Sequence, residues 1–243
     1  MQTDDAVELL KQVSQIPNQE QAEKVAEVLE YQPLALAAAA FYVQEVVISG
    51  SPNFSWTNYL EAFRRGEREA TEEPLAKQNF AYSKTMTTAV KMAVDRASES
   101  DEVLRQAFYL FLLCAPNSLP IEAAVNVVKF LGAGQTEESI KARILKSSLI
   151  TCSYDEDGVP TYLRMHNIVH DVLKSILMSA VEFTNRFQLL SVAIKIFHSL
   201  LEKNKKLLFA SGHVCVKLRT VMTHCKVLHE ILNINFEVTK ILW

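Results

Sequence analysis

Glycine and proline are scarce, six and seven residues in a chain of 243. That scarcity excludes collagen-like and low-complexity sequences. It also argues against an all-β sandwich, whose many short strands need frequent turns. Cysteine is scarce too: Cys114, Cys152, Cys215 and Cys225 are scattered, with no C-x-x-C spacing. The opening residues Met1-Gln2-Thr3-Asp4-Asp5 are acidic where a secretory leader would be basic. A reduced, cytoplasmic chain without disulfides is therefore expected. No 18-residue window is apolar and free of charge, and the longest run, Pro33 to Val43, is about half of what a bilayer needs, so no membrane partner is expected. Neither sign of charge dominates, with 25 basic against 28 acidic side chains. A dedicated nucleic-acid binder would carry a basic excess, and nucleic acid is not the expected partner.

What is present is apolar residue at helical spacing, 49% of the chain being hydrophobic. The length predicts about two packed modules. Ala6, Val7, Leu9, Leu10 and Val13 mark a first helix, with Asp4 and Asp5 at its positive end. After the break at Ile16-Pro17-Asn18, where Asn18 could cap, Ala22, Val25, Ala26, Val28 and Leu29 mark a second. Pro33 requires an extended predecessor and suits the first turn of a third. That third helix, Leu34 to Phe41, is apolar on every side and belongs in a core. Trp56, Tyr59, Leu60 and Phe63 form a short amphipathic piece. The charged stretch Arg64 to Gln78 reads as an exposed loop or weak helix, and Thr87 to Ala97 as helix again.

A different pattern follows. Leu104 to Leu113 is a strongly apolar helix, Pro120 opens another to Phe130, and Thr136 starts a third with Ile140, Ile144 and Leu145 inward. Leu149 to Ser153 and Thr161 to Met165 read as two strands around the turn Asp155-Glu156-Asp157-Gly158. Three helices and then a β-hairpin is the order of a winged-helix module. Asn167 is placed to cap the helix that leaves the hairpin. The tail is read as helical from about Phe183 to Lys203 and from about Val214 to Trp243. The expected fold class is mainly α: a helical subdomain over residues 1–99, a winged-helix subdomain with one β-hairpin over 100–178, and a helical segment over 179–243 that could lead to a repeat array.

Catalytic signatures are missing. A P-loop needs a Gly-Lys pair in a glycine-rich turn, and none occurs; Gly132-Ala133-Gly134 lacks the Lys and follows a helix, which reads as a helix stop. His166 and His170 have metalloprotease spacing, but Asn167 stands where that chemistry needs a Glu base. Cys225 and His229 share a helical face, near His213, Cys215 and His224, in a spacing that matches no zinc module. No metal site and no catalytic residue is expected. No cysteine has an electropositive neighbourhood and no G-x-S-x-G occurs. The third winged-helix helix offers Lys141, Arg143 and Lys146 against Glu137 and Glu138, a balance that supplies little phosphate neutralisation.

Four short stretches, in order, resemble a known family. Gln32-Pro33-Leu34-Ala35-Leu36 is similar to the G-[LS]-P-L-A-L segment of the NB-ARC proteins, the STAND nucleotide switches. Trp56 with Tyr59-Leu60 resembles their W-x-x-x-L helix, and Leu145-Lys146-Ser147-Ser148-Leu149-Ile150 their L-x-x-[KR]-S-L-[LI] junction. Arg164-Met165-His166-Asn167-Ile168-Val169-His170-Asp171 resembles the M-H-D motif. The resemblance runs from about Val7 to Leu177, roughly seven tenths of the chain. It fits apoptotic protease-activating factors and plant disease-resistance proteins alike, and so implies a role in apoptosis or innate immunity.

The resemblance implies a helical and a winged-helix subdomain that together cover a bound ADP. Pro33 would pack on the adenine with Leu34 beside it, His166 would touch the β-phosphate, and Ser148 would lie near the same phosphate. ADP or ATP is implied as cofactor only this way, and none is expected for these 243 residues alone. The departures are Tyr31 or Gln32 in place of a small residue before Pro33, Asn167 in place of the motif Asp, and the absence of a P-loop, an acidic Walker B strand and a sensor Arg. The expected function is thus the regulatory lid portion of a signalling ATPase, not itself an enzyme. Its partner would be a P-loop nucleotide-binding domain, either a missing part or a full-length relative, with an oligomer of the parent protein possible. The sequence alone allows a fragment or a short gene product. Other readings are a stand-alone helical interaction module and, third, a winged-helix DNA binder. Ordinary roles for two of these residues are a helix-starting Pro33 in a core and a His166 bonded to backbone at the hairpin end.

Overall fold

The computed structural model describes residues 1–16, 19–72, 84–114, 118–131, 134–180, 183–205 and 220–231. The expected cap at Asn18, the end of the charged stretch at Gln78 and the start of the last helix at Val214 lie outside them. The chain is mainly helical with one small antiparallel sheet, and it divides into two compact units, each assembled from separate stretches of sequence.

The first unit comprises Met1–Glu102, Ser147–Leu149 and His166–Ile176. Its helices are α1 (Thr3–Ser14), α2 (Gln19–Val28), α3 (Pro33–Ile48), α4 (Trp56–Glu72) and α5 (Lys84–Ser100). The apolar-all-round α3 lies at the centre, packed on α1, α4 and α5, which is why Ala35, Leu36, Ala38, Ala39, Ala40, Phe41 and Val43 are all buried. Small alanines let the neighbouring helices come close while Leu36 and Phe41 fill the remaining volume. One charged residue is buried with them: Glu45 accepts a hydrogen bond from the Ser100 hydroxyl at 3.0 Å. An aromatic cluster covers the end of α3, with Tyr59 set edge-on to Trp56 (6.0 Å between centroids) and to Tyr42 (5.6 Å).

The charged stretch after Phe63, expected as an exposed loop or weak helix, is helix through Glu72. Gly66 does not break α4 because the helix passes close to α5 there. A Cβ on Gly66 would come within 3.3 Å of Thr88 Cγ2 and 3.4 Å of Met92 Sδ. Tertiary packing on α5 outweighs glycine's intrinsic cost of about 1 kcal/mol in a helix.

The second unit comprises Val103–Lys146, Ile150–Met165 and Leu177–Trp243. In chain order it holds α6 (Glu102–Leu113), β1 (Leu119–Pro120), α7 (Ile121–Phe130), α8 (Glu137–Lys146), β2 (Ile150–Tyr154) and β3 (Pro160–Met165). Then come the end of α9 (Asn167–Ala180), α10 (Phe183–Lys205) and α11 (220–231). The sheet order is β1-β3-β2, all antiparallel, with Leu119 opposite Leu163 and Cys152 opposite Leu163 on the other side. Helix, strand, two helices and a hairpin returning to that strand is winged-helix topology. The two-residue β1 is an addition to the sequence reading, since no periodicity can show in so short a segment.

Local signals place the rest. Thr136 caps α8, its Oγ1 accepting the Ser139 N–H at 3.2 Å. In the hairpin turn, Asp155 Oδ1 accepts the N–H groups of Asp157 and Val159, and Gly158 takes φ 74°. Long-range bonds fix the approach to β1. Arg164 Nε on β3 donates to Ser118 Oγ at 2.7 Å, while His224 on α11 bonds the Ser118 carbonyl at 2.9 Å.

Candidate functional site

The residues singled out by motif are Pro33, Leu34, Ser148 and His166, and all four fall in the first unit. The chain reaches Pro33 through a tight reversal. Glu30 and Tyr31 both take left-handed φ (55° and 53°), and the Tyr31 N–H closes back on the Ala26 carbonyl at 3.0 Å. Gln32 is extended (φ −79°, ψ 118°), as a residue before proline must be, and Pro33 is the first residue of α3. Pro33 is exposed and Leu34 half-buried.

Ser148 belongs to the short link between α8 and β2. Its neighbour Ser147 is buried and uses its hydroxyl to accept the Leu149 N–H at 3.4 Å. The Ser148 hydroxyl instead donates to the Ala37 carbonyl at 3.0 Å, across 111 positions of sequence. Ala37 is four residues after Pro33, hence on the same face of α3 one turn on. The structure therefore brings Ser148 to the helix face that Pro33 begins.

His166 ends the hairpin and precedes α9. Its Nδ1 accepts the Ile168 N–H at 3.4 Å and its carbonyl accepts the His170 N–H at 3.1 Å. The capping side chain is thus His166; Asn167, expected to cap, is already the first helical residue. The ring is exposed, and Nδ1 as an acceptor places the imidazole hydrogen on Nε2 in the neutral form. His166 therefore has the backbone-bonded role that the hairpin position suggested.

Other candidates stand as follows. His170 is buried, so it shares no open face with His166. Cys225 is buried while His229, one turn on, is exposed. His213 and Cys215 lie outside the described residues. Among the described residues no group of three or more His, Cys, Asp or Glu is placed to hold a metal ion. Burial raises the thiol pKa of Cys114, Cys152 and Cys225, which holds them as thiols at neutral pH. No described helix is long and apolar enough to cross a membrane.

Two surface grooves lie in the second unit, one of about 510 Å³ between α7 and α8 and one of about 620 Å³ between α7 and α10. Neither is lined by Pro33, Leu34, Ser148 or His166. Sequence reasoning missed two histidine arrangements, the buried His224 on Ser118 and the His198–His229 pair. Only helix spacing could have hinted at them, because their partners are 106 and 31 positions away. Comparison with known proteins finds no matching family model and no matching curated protein.

Proposed function

We propose that this chain is the regulatory lid portion of a STAND-type nucleotide switch, contacting ADP when a P-loop domain holds the phosphates. The observation that carries the reading is the Ser148 hydroxyl on the Ala37 carbonyl, which joins the junction motif to the helix that Pro33 begins. Pro33 has an open face, a rigid apolar ring suited to stacking on a base. The exposed imidazole of His166 is a hydrogen-bonding group of the kind that suits a phosphate oxygen. Tyr31 adds support: it holds φ 53°, a left-handed conformation that a glycine, the residue type of the resembled motif, adopts without steric cost.

In this reading the chain's residues hold base and phosphate from one side and transfer no group. Gripping a diphosphate requires backbone N–H groups and a cation around it, so the affinity of the chain alone is weak. A lid that touches the diphosphate makes nucleotide state bias a closed against an open arrangement by differential contact. Titration of the chain with ADP, followed by NMR, tests this. The Leu34 and Ser148 amides and the His166 ring signals are expected to shift first, without saturating below millimolar ADP. Micromolar saturation would overturn the requirement for a separate P-loop domain, and shifts confined to other residues would overturn the lid.

The exposed apolar side chains Phe130, Tyr154 and Met222 favour the second reading, a helical interaction module. A nucleotide-binding partner that co-purifies with the chain would join the two readings. DNA binding finds less support, since α8 begins with Glu137 and Glu138 and Lys129 is paired with Glu137 at 2.6 Å.

A further inference from the structure

His198 on α10 and His229 on α11 meet at the surface of the second unit. Their Nε2 atoms are 2.9 Å apart, with ring centroids at 5.2 Å and planes at 79°. Both rings are exposed. In the neutral pair one Nε2 carries a hydrogen and the other accepts it. Two imidazole nitrogens thus converge from separate helices.

We propose that the His198–His229 pair is a bidentate site for a divalent transition-metal ion, of the copper or nickel type, that clamps α10 to α11. Ligand chemistry selects the metal. With metal–nitrogen bonds of about 2.0–2.1 Å, two ligands at a right angle sit about 2.9 Å apart and two tetrahedral ligands about 3.3 Å apart. The observed separation is that of the neutral hydrogen-bonded pair and lies close to both, and imidazole affinity, copper above nickel and zinc, is what favours Cu(II) or Ni(II). Among the described residues no third His, Cys, Asp or Glu joins the pair. Binding breaks the N–H···N bond. The imidazole that carried its hydrogen on Nε2 shifts it to Nδ1, both rings stay neutral, and both Nε2 lone pairs go to the metal.

The test uses the full chain with Ni2+ as probe, titrated calorimetrically in a non-coordinating buffer. One ion per chain is expected. His198→Gln and His229→Gln should each weaken binding at least as much as loss of an outer-sphere partner does, about tenfold or more. Zn2+ should bind more weakly than Cu2+. A measurement that needs no variant is paramagnetic broadening: Ni2+ should broaden the ring signals of His198 and His229 before those of the other four histidines. A double variant that binds like the original chain would overturn the site, as would broadening that begins at another histidine. One ion per two chains with a dimer in light scattering would overturn the intramolecular clamp.

Discussion

Two long-range contacts, one in each unit, tie distant segments of chain together by different chemistry. In the first, a small half-buried hydroxyl, Ser148, rests on the carbonyl of Ala37 in a core already filled by α3. In the second, a whole imidazole is sunk: His224 is fully buried, bonded to the Ser118 carbonyl and set against Phe197 at 5.4 Å. The hydroxyl contact carries no titratable group, although the first unit also buries Glu45 and His170. The other makes the core depend on a titratable group. Uncharged small groups secure a fold independently of conditions, whereas a buried base makes it sensitive to acid.

The largest effect should come from removing the ring that packs on the buried imidazole. Phe197→Ala is expected to cost about 3–5 kcal/mol, measured by urea denaturation, because Phe197 is fully buried and the cavity would open beside a polar side chain. Phe41→Ala should cost a similar amount in the first unit, and a markedly smaller loss there would show that alanine-rich packing can collapse around the gap.

Acid is the sharper probe of the contrast. Burial lowers the His224 pKa, outweighing the opposite pull of the Ser118 carbonyl. The unfolded chain then binds the proton more readily than the folded one. Stability is therefore fully present above the ordinary imidazole value of about 6.5 and falls as pH drops from there toward the lowered folded value. The slope contributed by this one group is at most about 1.4 kcal/mol per pH unit. His224→Gln should flatten this part of the pH profile of thermal denaturation. An unchanged acid slope would place the sensitivity elsewhere and break the contrast.

Smaller effects are expected at single bonds. Ser148→Ala should cost about 0.5–1.5 kcal/mol through loss of the bond to Ala37. Thr136→Ala should cost about 1 kcal/mol through loss of the α8 cap. Smallest of all is Tyr31→Gly, where relief of a left-handed residue, about 1–2 kcal/mol, is offset by lost side-chain contacts and by the greater freedom of glycine in the unfolded chain. A thermal melt within a degree or two of the original is expected, and a large drop would show that the Tyr31 ring is needed for packing.

Much of the architecture was legible in the residues. Pro33 after an extended Gln32, the helix start at Thr136 and the Asp155–Gly158 turn were all placed by local stereochemistry, and each is found there. From Arg64 on the residues left loop and weak helix open, and the choice of helix past Gly66 goes with the approach of Thr88 and Met92 from another helix. Nor was the cap at His166, since Asn167 has the stronger intrinsic preference and geometry at the strand end gave the position to its neighbour. Of the candidate site, the motif residues were visible in sequence, but the contact of Ser148 with α3 was not.

Helical periodicity, the all-round apolar α3 and the turn residues follow from interactions within a few positions of one another, and the sequence by itself determined them. Which carbonyl receives Ser148, which histidine is buried on Ser118, and which two histidines meet across α10 and α11 depend on contacts between positions 31 to 111 apart. Such pairings are selected only when whole helices settle against one another, because a hydrogen bond at that range must repay the entropy of closing the intervening chain.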